Sequence, residues 1–269
     1  MARRWNTNEE DYYRRELQEL YVRQNKSLRE VAAALRIAEQ TVFQRLQRLN
    51  IPILRHLKKG YNNKHGVTEI PTEYSNQLAE LFGILLGDGH ISHFQVVVTL
   101  GSKEIEYVEY VQKLIKKIFK GEPRISIRAT GHRDVYLGAV DVTSWLKKEG
   151  LVGNKVYAQV DAPVWIYANR TYMENFIRGF FDTDGSVYKL RYGIQVSLTN
   201  KSIPLLVSLQ NMLRKLGYSP SAVSAYKVYL TKKIDVERFF REIQPANFKH
   251  QRRFQQLRVG TQAVNEDAL

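Results

Sequence analysis

Three observations predict an α+β fold: two pseudo-symmetric αββαββα repeats with antiparallel sheets around a pair of packed helices, preceded by a small all-α domain. The run Leu81-Phe82-Gly83-Ile84-Leu85-Leu86-Gly87-Asp88-Gly89 returns as Phe176-Ile177-Arg178-Gly179-Phe180-Phe181-Asp182-Thr183-Asp184-Gly185, an apolar helix-like segment ending in Asp-Gly both times. Later landmarks return at a near-constant offset: Asp184 minus Asp88 is 96, Lys201 minus Lys103 is 98, Val228 minus Val135 is 93, and Lys249 minus Lys155 is 94. Residues 11 to 49, ahead of both copies, carry helical rather than strand periodicity. Two long units are too few for a solenoid.

Residues 11 to 49 read as helices. After a segment from Tyr12 to Arg23, Ser27 stands three before Glu30 as a capping box, opening a helix with Leu28, Val31, Ala32 and Leu35 apolar. A tight turn follows at Arg36-Ile37-Ala38. The next helix, Glu39 to Leu49, puts Val42, Leu46 and Leu49 on one face and Gln40, Thr41, Gln44, Arg45 and Arg48 largely on the other. The pattern resembles a helix-turn-helix, whose second helix would enter a major groove with its polar side chains against base edges. Pro52 and the stretch Lys58 to Gly66 then supply a basic, breaker-rich linker.

Each repeat has the same order of elements. The Asp-Gly helix is followed by alternating strand residues, Ile91 to Leu100 or Tyr188 to Leu198, then a helix opened by Ser102-Lys103 or Asn200-Lys201. A second strand pair ends in Val-Tyr-Leu at 135 to 137 and 228 to 230, and a last helix begins near Asp141 or Asp235 and leads to Lys155 or Lys249. Small residues four apart, Gly83 and Gly87, Gly179 and Thr183, give each Asp-Gly helix a stripe for close approach. Packed side by side, the two helices would bring Asp88 and Asp184 together. The predicted domains are 1–59, helix-turn-helix; 60–73, basic linker; 74–166, first repeat; and 167–269, second repeat.

Composition narrows the partners. With 41 Lys plus Arg against 27 Asp plus Glu the chain carries +14, an excess that favours a polyanion by counterion release. Residues 1 to 59 hold 13 basic and 7 acidic residues, so both parts are basic. There is no cysteine, which excludes disulfides and thiolate metal sites. The apolar run near Leu78 to Leu86 is too short to span a bilayer, and Arg3 and Arg4 beside Glu9, Glu10 and Asp11 do not make a signal region. A soluble, cytoplasmic protein is expected, with no membrane partner.

Paired Asp-Gly helices followed by this element order resemble the LAGLIDADG homing endonucleases in their single-chain, two-repeat form, over about residues 74 to 258. Gly153-Asn154-Lys155 and Pro163-Val164-Trp165-Ile166 look like the family's linker region. Position six of the namesake motif holds Leu86 in the first copy and Asp182 in the second; the metal-binding acids implied by the resemblance are Asp88 and Asp184, before the final Gly.

The chemistry of such an enzyme accounts for these residue types. Phosphodiester hydrolysis needs an in-line water, neutralised charge in the transition state and help for the leaving oxygen, which Mg²⁺ on carboxylates provides, with Mn²⁺ as a substitute. Asp88 and Asp184, with the carbonyls of Gly87 and Thr183 at the helix C-termini, form a hard-oxygen site suited to Mg²⁺. The resemblance also implies a catalytic-pocket lysine after the last helix of each repeat, here Lys155 and Lys249, each expected to serve its own repeat. The solvated helix-end alternative stays open for both, and the run Lys249-His250-Gln251-Arg252-Arg253 leaves the choice of basic residue open. Lys103 and Lys201 read as helix-start or phosphate contacts.

Strand alternation turns Gln95, Val97 and Thr99 outward from Val96, Val98 and Leu100, and Gln195 and Ser197 outward from Val196 and Leu198. Arg124, Ser126 and Arg128 alternate with Ile125 and Ile127 in the same way. An outward face of Gln, Ser, Thr and Arg suits base and phosphate contacts, and the resemblance implies a curved DNA-binding saddle there. The expectation is a monomeric, Mg²⁺-dependent endonuclease making a double-strand break in a long non-palindromic DNA site. The alternative is a non-cleaving DNA-binding transcription regulator or an RNA-splicing maturase, with intron RNA as partner.

Overall fold

The computed structural model describes residues 7–24, 26–52 and 67–266, with side chains as far as 258. The basic stretch Lys58 to Gly66, and Arg3 and Arg4, lie outside the described residues. The chain divides into two compact units, Met1–Asn62 and Asn63–Leu269. Among the described residues no helix is long and apolar enough to cross a membrane.

In the first unit, α1 (Thr7–Leu17) continues through a π-helical segment (Gln18–Arg23) into α2 (Leu28–Leu35) and α3 (Glu39–Arg48). The predicted single helix from Tyr12 thus starts earlier and widens at its end, where Gln24 N–H donates to Glu19 O five residues back at 2.9 Å. The capping box is formed: Glu30 N–H donates to Ser27 Oγ at 3.3 Å, and Ser27 N–H donates to Glu30 Oε2 at 2.8 Å. Arg36 ends α2 in the left-handed region, φ 53°, and Ile37 N–H closes the turn on Ala32 O at 3.0 Å. Val31, Ala32, Val42, Leu46 and Leu49 form the core with Leu17, Tyr21 and Ile51.

The second unit begins with α4 (Asn76–Gly87), β1 (Gly89–Ile91), β2 (Gln95–Leu100), α5 (Ile105–Phe119), β3 (Arg124–Ile127), β4 (Arg133–Gly138) and α6 (Val140–Lys148). A 3₁₀ turn (Val164–Ala168) leads to α7 (Arg170–Asp184), β5 (Gly185–Leu190), β6 (Gly193–Thr199), α8 (Ile203–Lys215), β7 (Lys227–Leu230), α9 (Lys233–Glu242) and α10 (Phe248–Glu266). The first sheet runs β1-β2-β4-β3 and the second β5-β6-β7, both antiparallel.

The second sheet departs from the expected strand pair. Instead of a full strand before β7, residues 221 to 224 return beside it through one bridge, Ser224 to Lys227, and a bond from Ser221 N–H to Tyr229 O at 2.9 Å. The sequence Ser219-Pro220-Ser221-Ala222 explains this: Pro220 has no N–H to give a ladder, and Ser221 Oγ accepts from Tyr229 N–H at 3.0 Å.

Helices α4 and α7 pack against each other at the centre. Their closeness requires glycine. A Cβ on Gly83 would stand 2.2 Å from Phe176 O, and one on Gly179 would stand 2.0 Å from Glu80 O. Ser75 and Asn169 cap the two helices, accepting from Leu78 N–H and Tyr172 N–H. A charged contact crosses the interface: buried Glu80 of α4 accepts from Tyr110 Oη at 2.6 Å and lies 3.7 Å from Arg178 of α7.

Two strand-face expectations are corrected. Val97 is buried, because β2 is an inner strand and His90 and Tyr136 flank it across both pairings. On β3 all four residues are exposed, Ile125 and Ile127 included, because it is the outer strand, paired with β4 alone.

Candidate active site

Asp88 follows the last turn of α4 as its C-cap and Asp184 is the final residue of α7. The glycine crossing joins these ends: a Cβ on Gly87 would lie 2.0 Å from Thr183 Oγ1 and 3.5 Å from the Asp184 carboxyl carbon. Thr183 is buried and turns its hydroxyl back on its own helix, donating to Phe180 O at 3.0 Å. Burial lifts the Asp184 pKa to about 6, with the negative charge of Asp88 the next cause. Asp88 opens to solvent on one side, yet the protein around it raises its pKa by desolvation, against the opposing pull of Lys249 and Lys155.

The two lysines reach the acids by different routes. Lys155 Nζ donates to Leu85 O and Leu86 O at 3.1 Å each, and also to Gly87 O, filling the carbonyl cup at the end of α4. The Gly87 carbonyl, expected as a metal ligand, is therefore taken by an ammonium, since a cation suits a helix C-terminus. Burial lowers the Lys155 pKa, while Asp184 first and Asp88 second hold it up. Lys249 lies in the first turn of α10, 2.7 Å from Glu104 Oε1. Of the two lysines it acts more strongly on Asp88, whereas Lys155 acts more strongly on Asp184. Lys155 of the first repeat thus sits on the end of its own repeat's helix, whereas Lys249 of the second repeat is paired with Glu104 of the first, so for Lys249 the expectation that each lysine serves its own repeat is corrected: α10 starts on buried Asp182 and carries Lys249 to Glu104.

Four polar residues at the centre were absent from the predicted site. Asn200 Nδ2 donates to Asp184 Oδ2 at 2.9 Å. Glu104 receives Lys249, Asn247 Nδ2 at 2.6 Å and Gly101 N–H at 2.5 Å. Asp182, fully buried, accepts from Ala246 N–H at 2.9 Å and Asn247 N–H at 3.0 Å, so the acid at motif position six holds the start of α10. Burial foremost lifts its pKa to about 8. The sequence signal for Asn200 was its offset of 98 from Ser102, where it was read only as a helix opener.

The sheet residues divide. Arg124 and Ser126 are exposed on β3, and Gln95 is half-buried at the start of β2. Thr99 and Arg128 are tied to an acid: Thr99 Oγ1 and Arg128 Nε each reach the Asp134 carboxylate at 2.7 Å. Gln195 and Ser197 were expected outward; they are 9% and 1% exposed. Their strand is the inner one of its sheet, and Tyr188 and Tyr229 of the flanking strands stand opposite them. On α3, Gln40, Gln44 and Arg48 are exposed and Thr41 is half-buried, while the Arg45 guanidinium lies 3.7 Å from the Tyr13 ring centroid and is turned toward its own unit.

The donor set fits a hard divalent cation. The raised pKa of Asp184, due to burial and then to the charge of Asp88, would be relieved by such a cation, and Mg²⁺ takes one or two carboxylates with the rest of its shell from water and phosphate oxygen. Among the described residues no group of three or more His, Asp or Glu side chains gathers as a metal cluster.

Residues 171–244 match the LAGLIDADG-like domain family. Among curated proteins of Methanocaldococcus jannaschii, a DNA polymerase is 27% identical over 158 residues, covering 52% of this chain and 9% of that protein. The replication factor C small subunit is 28% identical over 134 residues, covering 49% of this chain and 7% of that one. The chain thus matches under a tenth of the length of either relative. Among solved structures, I-WcaI bound to its DNA recognition sequence aligns at TM-score 0.47 with 16% identity, covering 73% of this chain and 91% of that one. I-DmoI in complex with DNA and Ca aligns at TM-score 0.46 with 17% identity, covering 62% and 88%. The N-terminal LAGLIDADG domain of DUF199/WhiA aligns at TM-score 0.45 with 15% identity, covering 72% and 95%. The family match is seated on the second of two repeats whose Asp-Gly helices pair at the core, so the chain carries a LAGLIDADG-like domain over residues 171–244.

Proposed function

We propose that the protein is a monomeric, site-specific DNA endonuclease that breaks both strands of a long, non-palindromic duplex site with divalent cations. The observation that carries this reading is the convergence of Asp88 and Asp184, each with a lysine, at the joined ends of two glycine-crossed helices. Asp88 and Asp184 would hold Mg²⁺, which supplies Lewis-acid stabilisation of phosphate charge and an activated water. Asn200 orients the Asp184 carboxylate through its bond to Oδ2. The ammonium groups of Lys155 and Lys249 sit where negative charge develops and stabilise it. Exposed Arg124 and Ser126, half-buried Gln95 and the basic surplus favour a duplex partner, with Gln40, Gln44 and Arg48 of the first unit adding contacts.

The test is selection of cleaved sites from a randomised duplex library with Mg²⁺, repeated with Mn²⁺ and with chelator. Metal-dependent cuts at one recurrent sequence are expected, and an Asp88→Asn, Asp184→Asn protein should bind that sequence without cutting it. Binding without cutting by the parent would favour a second reading, a DNA-binding regulator. The specific observation on its side is the Lys155 ammonium already seated on the Gly87 carbonyl. Capture of structured RNA in place of duplex DNA would point to a maturase.

A further inference from the structure

We propose that Glu104 is a positioning residue that holds the Lys249 ammonium of the second repeat beside Asp88 of the first. The inference rests on the endonuclease reading for its catalytic consequence, and on geometry alone for the placement of the lysine.

Glu104 is the N-cap of α5, and its side chain makes no bond to its own helix. An N-cap side chain ordinarily accepts from the first turn that follows it. Here the carboxylate is turned away: Oε2 accepts from Gly101 N–H at 2.5 Å, and Oε1 accepts from Asn247 Nδ2 at 2.6 Å and from Lys249 Nζ at 2.7 Å. Asn247 is itself fixed, donating through its backbone N–H to buried Asp182 at 3.0 Å. Lys249 needs such a partner. It lies in the first turn of α10, where the helix dipole disfavours a cation, and its side chain is 43% exposed, so packing alone does not fix its rotamer. Glu104 is its ion-pair partner among the described residues, and Asp88 feels Lys249 more strongly than it feels Lys155.

The second repeat repeats the device with other atoms. Ser202, at an offset of 98 from Glu104, is the N-cap of α8 and also makes no bond to its own helix. Its hydroxyl donates to Val160 O, and Val160 N–H donates to Lys155 O. At each equivalent cap the side chain therefore holds the segment bearing the other repeat's lysine.

The test uses the full chain and four variants, Glu104→Ala, Glu104→Gln, Lys249→Met and the double Glu104→Ala, Lys249→Met. In the DNA-free protein, reductive methylation read by mass spectrometry should modify Lys249 about threefold faster or more in Glu104→Ala, with Lys155 unchanged. In single-turnover cleavage at saturating DNA, Glu104→Ala should slow the same strand as Lys249→Met by about 10- to 100-fold while DNA affinity holds or rises. The double variant should be no slower than Lys249→Met, because a lost position cannot matter twice. Glu104→Gln, which keeps the volume and one acceptor oxygen, should fall between Glu104→Ala and the parent and shows that folding is intact. Unchanged Lys249 modification, additive losses in the double variant, or slowing of the strand that Lys155→Met slows would each overturn the proposal. A parent that cuts no duplex sinks the endonuclease reading, and the methylation rates then decide the placement by themselves.

Discussion

The two repeats share their skeleton and differ in how they treat the same catalytic-type side chains. Lys155 is locked by three backbone carbonyls at the end of α4, whereas Lys249 is held by a carboxylate from across the molecule. The first sheet has four strands and the second three, and motif position six is apolar Leu86 in one and buried Asp182 in the other. What both copies keep is the small residue at the crossing and the acid at the helix end. The close approach of two backbones leaves no alternative to the first, and the second is what the proposed cation site would require of both.

The sharpest way to break the comparison is to remove one acid at a time. Asp88→Asn and Asp184→Asn should each reduce double-strand cutting by about 10³-fold, measured in single-turnover assays with Mg²⁺. If either single variant still cut both strands at the parent rate, the acids would not be equivalent. Next in size is the crossing itself. Gly179→Ala sets a Cβ against the fixed Glu80 carbonyl and should cost about 3 kcal/mol in denaturant unfolding, while Gly87→Ala meets the Thr183 side chain and should cost about 1 kcal/mol. A reversed order would mean that the helix ends, not their middles, set the spacing.

A smaller effect separates the acids by pH. The Asp184 pKa is raised to about 6 when folded, above its unfolded value, so the folded state binds that proton more tightly. Its ionisation therefore destabilises the fold as pH rises from about 4 to 6. Asp184→Asn should stabilise the metal-free protein by about 2 kcal/mol at pH 7.5 and by almost nothing near pH 4, seen as a Tm difference that closes on acidification. Smallest are the surface changes. Arg124→Ala should weaken DNA binding less than about tenfold and reduce the salt slope by about 1, whereas Gln195→Ala should leave that slope unaltered, since its side chain lies under the flanking strands.

The helix pair, the order of elements and the convergence of Asp88 with Asp184 were legible because the repeat prints them twice and glycine at helical spacing has few other uses. The capping box of Ser27 and Glu30 was legible for a similar reason, being a local pattern with one geometry. Alternation failed at Val97, Gln195 and Ser197 because period two assigns a face and says nothing of what the neighbouring strands lay over it. It failed at Ile125 and Ile127 because an outer strand has one partner. The seat of Lys155 depends on contacts 68 to 70 residues apart in the chain, and the joining of Glu104 to Asn247 on one 143 apart. No local spacing encodes those.

The Glu80 to Arg178 contact has a further consequence for how the halves recognise each other. At the repeat offset of 96, the position matching Glu80 is Phe176 and the position matching Arg178 is Phe82. The ion pair therefore occurs once, with two phenylalanines at its mirror image. If the chain were cut between the repeats and the pieces mixed, two first halves would bury a pair of acids with no base between them, and two second halves would leave each guanidinium without its cross-interface acid, with only Asp182 of its own helix nearby. Each such orphaned charge is costly in a packed interface. Only unlike halves satisfy both, so this single lopsided contact would let a divided gene reassemble one kind of heterodimer and reject the two self-pairings.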